Sequence, residues 1–311
     1  MKLSIVIPTY LSESNLPTLI SRLTSTLEKE GFDFEVIFVN DASPDNTLSI
    51  LKEFSSKSKR IKVINLSRNF GQQASILAGL KFSSGQMVVV MDDDLQDPPE
   101  LIPDLVRKLE EGYDVVYAVR KNRQESYFKR LGYWFFYSLL DKLSDVKIPR
   151  GAGDFCIMQK QVVIIITEIA SSERFVRGLR AWIGFKQTGL AYDRQKRNSG
   201  SPSYTLPKIV QLATDGWISY SMKPLRLALW LGLIWTSFSG TSLFILVCNK
   251  IFNASILSEI LSKVNISIYF SLFLAGINLV FLGIIGEYLG RLYLESKDRP
   301  KFIIQEFIGF N

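Results

Sequence analysis

The segment with the clearest chemical potential is residues 91–100, which read MDDDLQDPPE. It follows residues 86–90 (QMVVV), whose largely apolar pattern predicts a short buried strand. Carboxylates at the end of a buried strand cost free energy unless a cation lies among them. An Asp-x-Asp pair in this place can hold a divalent ion that also binds a diphosphate. The alternative is an acidic surface loop before the next helix, because Pro98, Pro99 and Glu100 favour a helix start.

The amino-acid composition limits the available chemistry. The chain has no histidine and two cysteines, Cys156 and Cys248. Histidine-based triads and metal sites are therefore excluded, and the cysteines give neither a disulfide framework nor zinc spacing. What remains is carboxylates, Arg, Lys and a hard ion with oxygen ligands, Mg²⁺ or Mn²⁺. The net charge of +7 suits a protein that works against anionic lipid headgroups. No nucleic-acid-binding motif is present, so nucleic acid is not a predicted partner.

Residues 1–120 alternate between strand and helix patterns. They predict strands at 3–8, 34–40, 61–66, 87–91 and 114–119, and helices at 16–29, 47–55, 72–82 and 99–110. Such alternation predicts an α/β fold with a mostly parallel sheet and helices on both faces. Ligands bind such sheets at the carboxyl ends of the strands. We therefore expect the segments that follow four of these strands to converge on one crevice: Thr9-Tyr10, Asp41-Ala42-Ser43, Arg68-Asn69 and Asp92-Asp93-Asp94.

Two C-terminal segments are long enough to cross a membrane. Residues 227–249 and 264–286 each comprise 23 residues without a charge. A helix of this length spans about 34 Å, against a hydrocarbon core of about 30 Å. Buried core helices are the alternative. The flanking Lys and Arg are in excess on the side of both termini, which predicts that both termini are cytoplasmic. The chain starts directly with a predicted strand, so no cleaved signal peptide is expected.

These patterns divide the chain into three parts. They are a cytoplasmic α/β domain at 1–224, two transmembrane helices within 225–290 and a cytoplasmic tail at 291–311. Within the first part, residues 127–143 and 207–220 have the apolar stripe of helices that lie in the membrane interface. For 127–143, packing against the sheet is an equally good interpretation. The chain is thus predicted to be an integral protein of the cell (inner) membrane.

The ordered motifs resemble those of the polyprenyl-phosphate glycosyltransferases of glycosyltransferase family 2. The motifs that carry the resemblance are VIPTY at 6–10, VNDASPD at 39–45, RNFG at 68–71, DDDLQDPPE at 92–100, GDF at 153–155, RGL at 177–179 and WIGF at 182–185. The resemblance extends over nearly the whole chain. Within this family, the chain is most similar to the two-span bacterial enzymes that glucosylate undecaprenyl phosphate.

The resemblance implies a GT-A fold, in which a nucleotide sugar binds across the carboxyl ends of the strands. The implied residues are Pro8, Tyr10, Asp41, Asp92, Asp93 and Arg120 for the nucleotide sugar, Asp94 and Gln96 for the metal ion, Arg130 and Arg197 for the donor and acceptor phosphates, and Asp94 and Asp154 for catalysis. The implied reaction is an inverting transfer of one hexose to polyprenyl phosphate, with UDP-glucose as the expected donor.

The chemistry of such a transfer supports these roles. A divalent ion at Asp94 and Gln96 would neutralise the charge that grows on the leaving nucleoside diphosphate. A lipid phosphate is already anionic at neutral pH, so it needs alignment more than a strong base. Asp154 then either orients the acceptor or removes a proton, and a turn cap is a third interpretation. For Arg120 and Arg197 the alternative is a solvated surface cation.

Two features depart from common patterns of the family. Relatives often carry Lys just before Tyr204, where this chain has Ser203, so one phosphate contact is missing or comes from Lys196 or Lys208. Relatives often read Asn-Glu-Glu where this chain reads Leu11-Ser12-Glu13, so the donor pocket can differ there. The Gln-x-x-Arg-Trp signature of processive polysaccharide synthases is absent, which predicts transfer of a single sugar.

Other interpretations stay open at this stage. The same reaction with GDP-mannose or a UDP-aminosugar is one, because small polar contacts decide donor identity. A non-catalytic, membrane-tethered nucleotide-sugar-binding module is a second. A channel or transporter subunit is a third, although its spans would usually carry charge.

Small residues four apart in the predicted spans favour a homo-oligomer with close helix contacts. They are Gly232, Thr236 and Gly240 in the first span, and Gly286 and Gly290 at the end of the second. The alternative is that these residues relieve packing within one subunit.

Overall fold

The structure is a computed structural model that describes residues 2–120, 152–169, 176–192, 234, 266–297 and 299–310. The chain divides into two compact units, with residues 1–141, 146–205 and 299–311 in the first and residues 142–145 and 206–298 in the second. The predicted interfacial helices, Arg130 and Arg197 lie outside the described residues. The first predicted span also lies outside them, except for Ile234.

The first unit alternates strands and helices. Its strands are β1 (Lys2–Thr9), β2 (Asp33–Asn40), β3 (Ile61–Leu66), β4 (Met87–Val90), β5 (Val115–Arg120), β6 (Ala152–Gln159), β7 (Gln187–Tyr192) and β8 (Ile304–Ile308). Its helices are α1 (Leu16–Lys29), α2 (Thr47–Lys57), α3 (Gln72–Phe82), α4 (Ile102–Glu110), α5 (Lys160–Ile169) and α6 (Val176–Trp182). Every element predicted for residues 1–120 is present. The helix predicted at 99–110 begins with a 3-10 turn at Pro99–Leu101.

The eight strands form one mixed sheet in the order β7-β5-β6-β4-β1-β2-β3-β8. The pairs β1/β2, β1/β4, β2/β3 and β5/β7 are parallel. Strand β6 runs antiparallel between β4 and β5, and β8 runs antiparallel along β3. Six strands therefore point one way and two the other, which confirms the predicted mostly parallel sheet.

Helices cover both faces of this sheet. Successive side chains of a strand point to opposite faces, so alternate residues of β1 enter different cores. Leu3, Ile5 and Ile7 lie in one buried cluster with residues of α1, α2 and α4. Val6 lies in another with residues of α3, α5 and α6. The carboxyl ends of β1 to β4 therefore emerge between two helix layers, at one edge of the sheet.

Helix α3 lies close to β1. A Cβ at Gly79 would come within 2.2 Å of Val6 Cγ1, so this position requires glycine. The helix begins after Gly71, whose φ of 93° lies in the left-handed region that favours glycine. The two glycines thus determine how close α3 packs and where its first turn starts, and that turn carries Gln72 and Gln73.

The C-terminal strand β8 does not follow from the sequence prediction, which assigns residues 291–311 to a tail. This strand pairs with β3, and its Glu306 forms a 2.8 Å salt bridge with Lys52. The ring of Phe307 packs edge-to-face on Phe82 with centroids 4.8 Å apart. The end of the chain is therefore part of the same sheet as the predicted site.

The second unit contains α7 (Ile266–Ser296), a continuous helix of 31 residues. It covers most of the second predicted span. Within the described part of the chain, no helix meets the length and apolarity that crossing a membrane requires. The spans at 227–249 and 264–286 therefore stay predictions.

Candidate active site

One edge of the sheet brings together the predicted site residues that the structure describes. The loops after β1, β2, β3 and β4 meet there because these strands are parallel. Strand β6 runs antiparallel to β4, with Val90 opposite Cys156. Two residues further along this register, Asp92 and Asp154 come side by side. The negative charge of Asp154 acts on Asp92, in agreement with this arrangement.

Three residues at this edge adopt left-handed backbone conformations. Leu11 (φ 56°) follows β1, and Ala42 (φ 50°) follows β2. Leu95 (φ 61°) lies in residues 91–98, the acidic loop after β4. No other non-glycine residue of the described chain has a positive φ. Such conformations cost about 1–3 kcal/mol each and persist only where the surrounding contacts hold them. Their concentration here marks this edge as the candidate active site.

Ser12 ties the loop after β1 to the acidic loop. Its hydroxyl donates a hydrogen bond to the Asp93 carboxylate, and its amide donates to Thr47 Oγ1 at 3.0 Å. Pro8 is buried in β1, whereas Tyr10 is 45% exposed and can meet a ligand. At the position where relatives often have Glu, this chain therefore has a serine that joins two loops.

Asp41 organises the loop after β3. It is 3% exposed, and its two carboxylate oxygens accept hydrogen bonds from the Phe70 and Gly71 amides at 2.7 and 2.8 Å. The family resemblance implies that Asp41 contacts the nucleotide sugar. In the structure both oxygens bind backbone amides just before α3, so Asp41 shapes the wall of the crevice through this loop.

The acidic loop folds around Asp94. The backbone N–H of Gln96 donates a hydrogen bond to Asp94 Oδ1 at 3.1 Å, across the left-handed turn at Leu95. Gln72 Nε2 donates to Asp92 Oδ1 at 2.7 Å from the first turn of α3. Asp94 and Gln96, the predicted metal ligands, therefore lie on one tight turn beside Asp92.

Tyr192 is the last residue of β7, and its side chain connects this strand to the acidic loop. Its hydroxyl donates to Asp97 Oδ1 at 2.6 Å, and both side chains are buried. Its ring packs edge-to-face on Phe155, with centroids 6.2 Å apart. Arg120, which the resemblance implies as a contact of the nucleotide sugar, ends β5 opposite Tyr192 in the parallel register. This register brings the end of β5 to the edge of the sheet that carries the site.

The carboxylates of the acidic loop repel one another. Burial raises the pKa of Asp92 to about 8, with the negative charges of its neighbours, Asp154 first among them, adding to the effect. Burial also raises the pKa of Asp93 to about 6, although the hydrogen bond from Ser12 opposes it. Asp92 therefore holds a proton more readily than an ordinary carboxyl group does.

Asp154 has the opposite environment. It is 7% exposed, and Arg177 binds it through two hydrogen bonds, Nε to Oδ1 at 2.6 Å and Nη2 to Oδ2 at 2.7 Å. Gln73 Nε2 donates to Oδ2 from 3.4 Å. Burial by itself would raise the pKa of Asp154, but the Arg177 guanidinium outweighs it and the pKa is lowered. Asp154 therefore stays ionised at neutral pH.

The acidic loop suits a hard divalent cation. Among the described residues, no group of three or more His, Cys, Asp or Glu is arranged to hold a metal ion. Asp94 and Gln96 offer two oxygen ligands on one turn, and Mg²⁺ usually keeps several waters and substrate phosphates as its other ligands. The pKa of Asp92 is raised mainly by burial and further by the negative charges of the neighbouring carboxylates. A divalent cation would offset those negative charges.

Four residues whose side chains bind predicted site residues have no role in the sequence prediction: Ser12, Gln72, Gln73 and Arg177. Arg177 lies in the RGL motif that carries the family resemblance, so that motif is the one signal that could have indicated it. The other three are uncharged residues whose partners lie far away in the sequence, and no local pattern marks them.

A comparison with known families identifies the class of protein. Residues 4–166 match the family described as "Glycosyl transferase family 2". The match covers more than half of the 311 residues. The chain therefore belongs to glycosyl transferase family 2. The mostly parallel sheet with helices on both faces, and the polar loops at the ends of its strands, agree with the GT-A fold.

Relatives match the chain over nearly its whole length. It is 41% identical to the uncharacterized glycosyltransferase YkcC of Bacillus subtilis (strain 168), over 98% of this chain and 94% of that protein. It is 34% identical to the bactoprenol glucosyl transferase of Shigella phage SfV, over 98% of each. It is 33% identical to the prophage bactoprenol glucosyl transferase homolog of Escherichia coli (strain K12), over 98% of this chain and 99% of that protein.

Solved structures are more distantly similar. The crystal structure of S. aureus TarS 1-349 has a TM-score of 0.42 and 21% identity, and the match covers 62% of this chain and 59% of that one. Glucosyl-3-phosphoglycerate synthase from Mycobacterium tuberculosis has a TM-score of 0.45 and 20% identity, and the match covers 70% of this chain and 77% of that one.

Proposed function

We propose that this protein is an inverting glycosyltransferase that moves one glucosyl group from UDP-glucose to polyprenyl (undecaprenyl) phosphate. The observation that carries the proposal is the position of Asp92 beside Asp154, which joins a donor-side and an acceptor-side carboxylate in one crevice. The similarity to the bactoprenol glucosyl transferase of Shigella phage SfV, over nearly the full length of both chains, supports the acceptor and the sugar.

Asp154 orients the acceptor in this reaction and takes no proton. An oxygen of the lipid phosphate attacks the anomeric carbon, and the bond from that carbon to the diphosphate breaks, with its electron pair leaving on the nucleoside diphosphate. The attacking phosphate is already anionic, so it has no need of a base. Asp154 is ionised and held by Arg177, which keeps the negative charge and the guanidinium in fixed positions. Attack from the face opposite to the diphosphate inverts the anomeric carbon.

The donor side of the crevice binds the nucleotide. Tyr10 contacts the nucleoside, and Asp92 and Asp93 face the ribose and the diphosphate. Asp94 and Gln96 would hold Mg²⁺ or Mn²⁺, which when bound neutralises charge on the leaving diphosphate. The proposed phosphate contacts are Arg120, Arg130 and Arg197.

The proposed acceptor requires a position at the membrane. The spans at 227–249 and 264–286 anchor the protein in the cell (inner) membrane, with both termini and the catalytic domain in the cytoplasm. The interfacial helices predicted at 127–143 and 207–220 would bring the site to the headgroups. Close helix contacts give a homo-oligomer, which cross-linking in native membranes tests. If the wild type migrates only as a monomer, or Gly232→Leu cross-links equally well, assembly through the spans is wrong.

A donor screen tests the reaction. Purified full-length protein is incubated with undecaprenyl phosphate, Mg²⁺ and radiolabelled UDP-glucose, GDP-mannose or UDP-N-acetylglucosamine. We expect lipid-extractable label from UDP-glucose alone, and label near background for Asp154→Asn. Label from another donor alone would correct the sugar. Absence of label with every donor would contradict the transferase.

A further inference from the structure

Two successive glutamines in the first turn of α3 bind the two central carboxylates of the site. Gln72 Nε2 donates to Asp92 Oδ1 at 2.7 Å. Gln73 Nε2 donates to Asp154 Oδ2 at 3.4 Å. Consecutive positions of a helix point about 100° apart, which lets neighbouring side chains reach different strands. The first turn of α3 therefore contacts both the donor side and the acceptor side of the crevice.

The orientation of the Gln73 amide follows from a second contact. The Val176 amide, at the start of α6, donates to Gln73 Oε1 at 3.0 Å. An N–H group can only donate, so the amide oxygen must face Val176 and the amide nitrogen must face Asp154. The next residue of α6, Arg177, binds the same carboxylate. Gln73 thereby fixes both Asp154 and the start of the helix that supplies its guanidinium partner.

A neutral amide suits this task. It donates a hydrogen bond to a carboxylate and restricts its rotation, but it does not cancel the negative charge as a lysine would. We propose that Gln72 and Gln73 are positioning residues for the transfer. Gln72 holds Asp92 for the nucleotide and its cation, and Gln73 holds Asp154 for the lipid phosphate. This inference rests on the proposed function.

Each glutamine is replaced by Met in the full-length protein, which removes the amide and keeps the length of the side chain. Turnover and the KM for UDP-glucose are measured with undecaprenyl phosphate, and the affinity for UDP with Mn²⁺ is measured by calorimetry. Gln73→Met should lower kcat about tenfold or more, with the UDP affinity within about twofold of wild type. Gln72→Met should weaken UDP binding about three- to tenfold. The matched control is Gln161→Met, because Gln161 also donates to a carboxylate, Asp114, but far from the site.

Gln73→Glu separates positioning from simple packing. Its oxygens still accept the Val176 hydrogen bond, but it presents a negative charge to Asp154 in place of a donor. A positioning role predicts a lower kcat for Gln73→Glu than for Gln73→Met. A merely structural role, in which Gln73 only holds α6, predicts the reverse order and would overturn the proposal.

The remaining outcomes are equally distinct. If the wild type forms glucosyl lipid and the Gln72 and Gln73 variants both match Gln161→Met, the positioning role is wrong and the proposed function stands. If the wild type forms no glucosyl lipid, the proposed function is wrong and the positioning role falls with it. The expected result is the crossed pattern, with Gln72→Met changing binding and Gln73→Met changing turnover.

Discussion

Removal of the Arg177 guanidinium should destabilise the first unit, because it leaves the buried Asp154 carboxylate unpaired. Asp154 is 7% exposed and accepts two short hydrogen bonds from Arg177. Breaking a buried ion pair costs about 3–5 kcal/mol. The Arg177 side chain is 35% exposed, so water weakens the pair and we expect about 2–3 kcal/mol for Arg177→Gln. For a unit of this size, that loss lowers Tm by about 5–10 °C.

The chain provides a matched control at its surface. Arg22 binds Glu100 with the same two-bond geometry, at 2.9 and 2.7 Å, but Glu100 is 51% exposed. Exposed pairs contribute at most about 1 kcal/mol, so Arg22→Gln should lower Tm by no more than about 4 °C. Melting curves of both variants and the wild type, in one detergent at pH 7.5, give the comparison. Equal shifts for Arg177→Gln and Arg22→Gln would refute the buried-pair argument.

Two further measurements isolate the unpaired charge. In Arg177→Gln, burial is no longer opposed by the guanidinium, so the pKa of Asp154 should rise above its ordinary value. An acid with a raised folded-state pKa loses stability as the pH rises above its unfolded pKa. The Tm deficit of the variant should therefore be largest at pH 7.5 and shrink toward pH 4. Asp154→Asn added to Arg177→Gln should recover part of the deficit. If the double variant loses the sum of both single losses, the two residues are not coupled.

The other predictions concern the metal, the acceptor side and the fold. Asp94→Asn and EDTA should each abolish glucose transfer, and full activity of the wild type in EDTA would exclude a metal-dependent mechanism. Asp154→Asn should lower turnover about 100-fold with UDP binding nearly intact by calorimetry, and loss of UDP binding would put Asp154 in the donor site. Since the pKa of Asp92 is about 8, binding of Mn²⁺ should displace a proton. The affinity for Mn²⁺ should therefore rise up to about tenfold per pH unit between pH 6 and 8. Identical heats of Mn²⁺ binding in two buffers of different ionisation enthalpy would contradict this. Lys62 and hydroxyl donors outweigh burial and lower the pKa of Glu35 from 4.5 to about 2, so Glu35→Gln should cost about 3 kcal/mol in urea unfolding. That contribution is present above pH 4.5 and lost as the pH falls through 2, and an equal loss for Glu35→Gln at pH 2 and pH 7 would contradict it.

The first 120 residues were predictable because their folding signals are local. The helices Leu16–Lys29 and Gln72–Phe82 have the predicted bounds. The apolar residues of these elements are largely buried, and Gly71, with its left-handed backbone, precedes the first residue of α3. Parallel strands joined by helices also fix which ends lie together, so the convergence of the loops followed from the order of elements alone.

The acceptor side was less predictable because its contacts are not local. Asp154 reaches Asp92 only because β6 runs antiparallel to β4, and no feature of residues 152–159 specifies that direction. Arg177 binds Asp154 across 23 residues, and sequence spacing gives no distance for such a pair. Strand β8 is short and half exposed, and its partner β3 lies about 240 residues earlier, so no periodicity marks it.

The opposite electrostatics of the two central carboxylates explain how one crevice serves two anionic substrates. Asp154 is paired with a cation of the protein itself, since the Arg177 guanidinium keeps it ionised and fixed. The described residues give Asp92 no salt bridge, and its pKa rises to about 8. Groups whose environments push their pKa values apart usually have different tasks. In the proposed reaction, Asp92 therefore lies in the half of the site that would take a cation together with the nucleotide. In the same proposal, Asp154 lies in the half that is ready before the lipid phosphate binds.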